Sequence, residues 1–296
     1  MEFAMKTFFL LPLAALSLGL VGCGSTKSAD PAPTATANTN MAGDPVGMGM
    51  GGEGDNSTPT MKLTLLLNGP LAPGRAQSVA LTLANIASGN PLGPDDLALA
   101  HTKKLHLLIV DASLTDYQHI HPVADPAKPG RWHFDFTPLF GRTYKVWADV
   151  TLPDGRHEYV GNDLVAGAER APAPSAATVA TAERNGLRFR LSFTMPLKVG
   201  RAAQGRIVID TKSGKPFAQL QPIMGAFGHI VAFAGNWDSI EHVHPLGVEP
   251  KSEGERGGPA INFHIQPEQA GVLKLFAQIR ANGRETIVPF TATVAP

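Results

Sequence analysis

The chain has 296 residues, 25 Lys and Arg against 25 Asp and Glu, and so a formal net charge of zero. Acids and bases are interspersed, which leaves no electrostatic footprint for nucleic acid. Its single cysteine, Cys23, excludes a disulfide framework, and any metal site in the body of the chain must use His, Met and carboxylates, which rules out a blue-copper centre.

The sequence opens MEFAMKTFFLLPLAALSLGLVGC, a lysine followed by an apolar run from Phe8 to Val21. That run falls short of the roughly 20 apolar residues of a membrane span, so residues 1–22 read as a secretory signal peptide. Leu20-Val21-Gly22-Cys23 resembles the lipobox of bacterial lipoproteins. The resemblance implies acylation of Cys23, attachment to a membrane and, with Gly24 next in line, sorting to the outer membrane, facing the periplasm or the cell surface. Residues 23–60 are rich in Gly, Pro, Ser, Thr, Ala and Asn and nearly devoid of large apolar side chains. They cannot bury enough surface to offset ordering and are expected to form a flexible tether. Met41, Met48 and Met50 lie in it, either as weak Cu(I) ligands or as ordinary linker residues.

About 235 residues remain, enough for two domains, and an internal repeat shows where to divide them. HTKKLHLLIVDASLTDYQHIHP, residues 101–122, returns as MGAFGHIVAFAGNWDSIEHVHP, residues 224–245. Further matches run from Gly74 to Gly200, Ser88 to Ser213, His106 to His229 and Asp154 to Asn282, offsets of 126, 125, 123 and 128. Such drift fits a duplicated fold with small loop insertions. The division is 61–166 for the first repeat, 167–178 for an Ala/Pro linker and 179–296 for the second.

Within the first repeat MKLTLLLNG, QSVALTLANI, KLHLLIV, YQHIHP, RWHFDFTP, TYKVWADVTL and HEYVGNDLV are short, rich in β-branched and aromatic residues and bounded by Gly, Pro, Asp and Asn. No stretch after the leader holds a helical period. The reading is all-β, two tandem immunoglobulin-like sandwiches, with a small barrel as the alternative for each.

Seven of the ten histidines occupy four matched positions: His101, His106, His119 and His121 against Met224, His229, His242 and His244. If residues 104–110 and 115–121 form a hairpin closed by Asp111 to Leu114, His106 lies opposite His119, with His121 its diagonal neighbour on the same face. The second copy permits the same pairing of His229 with His242 around Ala234 to Trp237. Neutral imidazole and thioether suit borderline and soft metals, so the expectation is a pair of metal sites, with copper, Cu(I) or Cu(II), favoured and zinc as the alternative. His101 and Met224 are the fourth candidates. Five residues separate each from the first histidine of its copy, an odd number on a regular strand, so a bend must bring them round. His133, His157 and His264 lack matched partners and read as structural, His264 keeping some claim as an extra ligand.

The arrangement K-x-L-H-L-L-I-V, Y-Q-H-I-H-P and G-R-W-H-F in the first half, with G-A-F-G-H-I-V and E-H-V-H-P in the second, resembles a family of secreted bacterial proteins associated with heavy-metal, chiefly copper, handling. It spans most of residues 62–296. The resemblance implies metal binding and supplies no mechanism.

Three functions compete. The first is a lipid-anchored copper-binding protein serving tolerance or delivery. The second is a zinc hydrolase, for which three His and a water suffice in principle. No nucleophile or general-base carboxylate recurs in both copies, however; Glu241 is the nearest, and Gln118 stands in its place in the first. The third is a scaffold or adhesion module that merely presents surfaces.

Overall fold

The computed structural model describes residues 59–296 except His242, and of His244 it describes the backbone only. The leader, Cys23 and the tether methionines Met41, Met48 and Met50 lie outside the described residues. Met61 opens the first strand and is buried in the core.

The first repeat has eight strands: β1 (Met61–Leu67), β2 (Gln77–Asn85), β3 (His106–Asp111), β4 (Tyr117–Ile120), β5 (Val123–Ala124), β6 (Arg131–Phe136), β7 (Thr143–Thr151) and β8 (His157–Val165). They form two antiparallel sheets, β1-β2-β6-β5 and β4-β3-β7-β8. The second repeat has β9 (Thr181–Arg184), β10 (Leu187–Phe193), β11 (Ala203–Thr211), β12 (Leu220–Gln221), β13 (His229–Ala234), β14 (Ile240–Glu241), β15 (Val243–Leu246), β16 (Ala260–Ile265), β17 (Gly271–Ala281) and β18 (Arg284–Val294). Its sheets are β15-β16-β11-β10-β9 and a second one in which β17 lies between β13 and β18, with β14 at the edge of β13. No α-helix occurs among the described residues. Each repeat is an immunoglobulin-like sandwich. Alternation makes the cores: β6 turns Trp132, Phe134 and Phe136 inward while its intervening residues stay partly or fully exposed.

β3 breaks that alternation, since all six of its residues are buried. Leu107 and Ile109 enter the core of their own sandwich. Leu108 and Val110, on the opposite face, join Tyr117 and Trp147 against Val231, Phe233, Phe276 and Ile240 of the second repeat. The two sets are equivalent by register. Leu108 pairs with Trp147 and Val110 with Tyr117, just as Val231 pairs with Phe276 and Phe233 with Ile240. The duplicated sandwiches therefore meet through the same face, as the subunits of a two-fold dimer would. Tyr117 stacks on Phe276 at 4.4 Å between ring centroids, and Lys145 reaches Asp238 at 3.3 Å from the rim.

The hairpin registers differ from the sequence reading by two residues. β3 and β4 pair Leu107 with Ile120 and Leu108 with His119, so the register continues to set His106 opposite His121, not His119. The cause is the side chain of Asp111, whose carboxylate accepts from the backbone N–H of Ser113 at 3.0 Å, Thr115 at 2.9 Å and Asp116 at 2.8 Å, stabilising a longer loop. In the second repeat β13 pairs Ala232 with Glu241, a register that would continue to residue 244 opposite His229, not His242. The chain then leaves this sheet. β15 joins the opposite one, with His244 in register with His264.

These contacts rank in energy. Phe233→Ala empties a fully buried position at the repeat boundary and should cost about 3–5 kcal/mol. Asp238→Ala removes a largely exposed ion pair and should cost under about 1 kcal/mol. Chemical denaturation of the two variants checks the order, which equal losses would contradict.

Candidate metal centre

Three histidines of the first repeat converge at the open end of the β3–β4 hairpin. His106 begins β3, His119 lies on β4 and His121 follows it just before Pro122. His106 Nδ1 is 3.1 Å from His119 Nε2 and 3.1 Å from His121 Nε2. One ring nitrogen from each of the three lies within 4.8 Å of the others.

The outward nitrogens decide the proton positions. His106 Nε2 is 3.0 Å from the carbonyl oxygen of Ala100, which can only accept, so Nε2 carries the proton and Nδ1 the lone pair. Gln278 gives its Nε2–H to Glu285 at 3.3 Å and thereby turns its Oε1 to His119 Nδ1 at 3.0 Å. His119 therefore donates from Nδ1 and aims the lone pair of Nε2 at His106. Two lone pairs 3.1 Å apart repel. A cation between them, or a proton, is what such an arrangement accommodates, and outer acceptors that fix the tautomer of an imidazole are usual at metal sites. The spacing also fits, because metal–nitrogen bonds of about 2.0–2.1 Å put tetrahedral ligands roughly 3.3 Å apart.

Protonation is discouraged. Burial, together with the neighbouring rings of His106 and His121, holds His119 down to about 3. Burial, His106 and Lys103 hold His121 down to about 4, against a smaller upward pull from Glu285.

His101 belongs to the cluster, and its location resolves the odd spacing. Ala100 and Lys103 exchange backbone hydrogen bonds around a two-residue turn whose tip residues, His101 and Thr102, have φ of 46° and 70°. That turn brings the His101 ring to 6.0 Å from His106, centroid to centroid, and presents the Ala100 carbonyl to His106. Met224 sits at the tip of the matching turn, Ile223 to Ala226, with φ of 50°. His229, at the start of β13, lies 5.1 Å from His119 and 5.3 Å from His101 between ring centroids. The first-copy histidines thus share one cluster with His229 at the repeat boundary. The expected twin, His229 with His242 and His244, is not assembled by the hairpin register described above, and the His242 and His244 side chains lie outside the described residues.

Sequence reading missed Asp149 and Gln278. They are equivalent positions, in register with His106 and His229 respectively. Asp149 is buried and accepts from His157 Nε2 at 2.6 Å. Burial alone would push its carboxyl up, but the bond from His157 and the proximity of His157, His106 and His229 hold it below the usual range. A buried carboxylate thus lies on the cluster's own face. The signal lay in the repeat, since both residues sit on the strand that pairs with the first histidine of each copy. His133 faces Asp125 at 3.6 Å, and His264 lies between Gln204 and His244 in register. Glu241 pairs with Ala232, a core-facing position, and accepts from the Glu268 N–H at 2.9 Å, so it turns away from the face that carries His229.

Residues 58–165 and 180–296 match one family, a domain of unknown function (DUF8832). The chain belongs to that family. The two DUF8832 matches correspond to the two sandwiches, and the cluster lies where they meet. No curated protein matches the chain. Among solved structures it is similar to invasin, a bacterial integrin-binding protein, at 14% identity and a TM-score of 0.23 over 79% of this chain, and spans 40% of that one. Domains 4 and 5 of the S-layer protein SbsC give 12% identity and a TM-score of 0.22 over 79% of this chain and 98% of theirs. The D00-D0 domain of intimin gives 10% and 0.22 over 78% of this chain and 99% of its own. Likeness at this level assigns no function to the DUF8832 repeats.

The depressed histidines set a pH dependence. Unfolded, His119 and His121 titrate near 6.5. Below that pH the unfolded chain takes up protons that the folded protein refuses until about 4 for His121 and about 3 for His119. Stability of the metal-free protein should therefore fall as pH drops from 7 to 5, above the carboxylate range, and His119→Gln with His121→Gln should flatten the profile. Denaturant midpoints across this window check it; a flat wild-type profile would contradict it.

Proposed function

We propose that this chain is an exported, lipid-anchored protein that binds copper through His106, His119 and His121, for tolerance or for delivery to another copper-handling protein. What carries the reading is the pair of facing lone pairs on His106 Nδ1 and His119 Nε2, 3.1 Å apart, each fixed by a hydrogen bond on the far side of its ring. Three imidazoles with no thiolate among them bind Cu(II) more tightly than Zn(II) by the usual order of first-row metals, and they also serve Cu(I). The signal peptide, the lipobox resemblance at Cys23 and the tether support attachment to the outer membrane, facing the periplasm or cell surface.

Zinc on the same three nitrogens is the second reading, favoured by the two 3.1 Å separations from His106 Nδ1, close to the tetrahedral value. A hydrolase built on it has little support, because Glu241 faces the core and Asp149 is bonded to His157.

Titration of purified protein with Cu(II), Cu(I) and Zn(II) should give at least one tightly held equivalent, with copper displacing zinc. Replacing His119 and His121 together by Ala should lower copper affinity by a factor on the order of 100 or more, given the loss of two direct ligands. Less than one equivalent in the wild type, or binding unaltered in the double variant, would remove the proposal.

A further inference from the structure

The triad is built by the first repeat alone, yet it stands at the boundary between the two. Its far side is closed by the second repeat. Gln278 of β17 accepts a hydrogen bond from His119 Nδ1–H, and its register neighbour on β13 is His229. The His229 ring lies 5.1 Å from that of His119. Its Nδ1 is shielded from solvent and has no hydrogen-bond partner among the described residues. A buried ring nitrogen without a partner is the exception in folded proteins and calls for an explanation such as an ion.

Resting on the triad reading above, we propose that His229 supplies a further ligand from the second repeat, so that one borderline cation is held in an all-imidazole set that spans the repeat boundary. The site is then a clasp. Metal binding fastens β13 to the end of the β3–β4 hairpin, at the edge of the apolar contact made by Leu108, Val110 and Tyr117 with Val231, Phe233 and Phe276. Two sandwiches meeting through the same face bring the first histidine of the second copy to the cluster of the first. His101, exposed at the tip of its turn and 5.3 Å from His229, stands on the solvent side of the clasp.

The test uses the two-repeat chain and Cu(II) or Zn(II) as the probe. His229→Gln should still bind one equivalent, at least tenfold more weakly than wild type, and X-ray absorption should count one imidazole fewer. In the unmutated protein loaded with Zn(II), the ring ¹⁵N signals of His229 should move to the ligated range, a readout that does not depend on how the variant folds. Wild-type affinity and ligand count in His229→Gln, or His229 signals unmoved by Zn(II), would overturn the clasp while leaving the triad intact. His119→Gln with His121→Gln serves as the control. Undiminished binding there would instead defeat the triad reading itself.

Discussion

Everything at the histidine cluster depends on β3 and β13 being covered on both faces. A strand of a two-sheet sandwich normally buries one face and wets the other, and its side chains alternate accordingly. Here the outer faces carry Leu108 and Val110 in one repeat and Val231 and Phe233 in the other, and the two faces exclude water from each other. His106 and His229 are the next outward-facing residues on the same strands, two positions before Leu108 and Val231. The packing that holds the repeats together therefore decides where their leading histidines go.

Electrostatics follow from that placement. Imidazoles that were wet would take up protons and repel one another as the pH fell through about 6.5. Partly enclosed, His119 and His121 shed their protons and offer lone pairs, while the carboxylate of Asp149 lies on the same face. The anchoring bonds to Ala100 and Gln278 orient two of the rings, as outer acceptors do for ligating imidazoles. The turn at His101 and Thr102 serves this arrangement at some local cost. A β-branched residue at φ of 70° is disfavoured, and it persists where surrounding structure over-determines it.

The sandwiches were legible because strand alternation and Gly, Pro and Asp boundaries are local signals, as Trp132, Phe134 and Phe136 illustrate. The triad was legible because His-x-His on one strand must share a face. Its register was not. The two-residue shift comes from Asp111 folding its carboxylate back onto three backbone N–H groups, a loop-specific choice that the pattern of apolar residues does not encode. Nor was the union of the repeats legible. An unbroken apolar run such as LHLLIV announces that both faces are covered, not what covers the outer one. The contribution of His229 to the first cluster, and the pairing of His119 with Gln278, exist only once the two copies have docked.

Fixed tautomers aim the lone pairs of His106 Nδ1 and His119 Nε2 at each other. Long-range ¹H–¹⁵N correlation spectra of the histidine rings in metal-free protein at neutral pH test it directly. They should show His106 protonated at Nε2 and His119 protonated at Nδ1. A His119 ring protonated at Nε2, donating to His106 as an ordinary hydrogen bond within a structural corner, would contradict it.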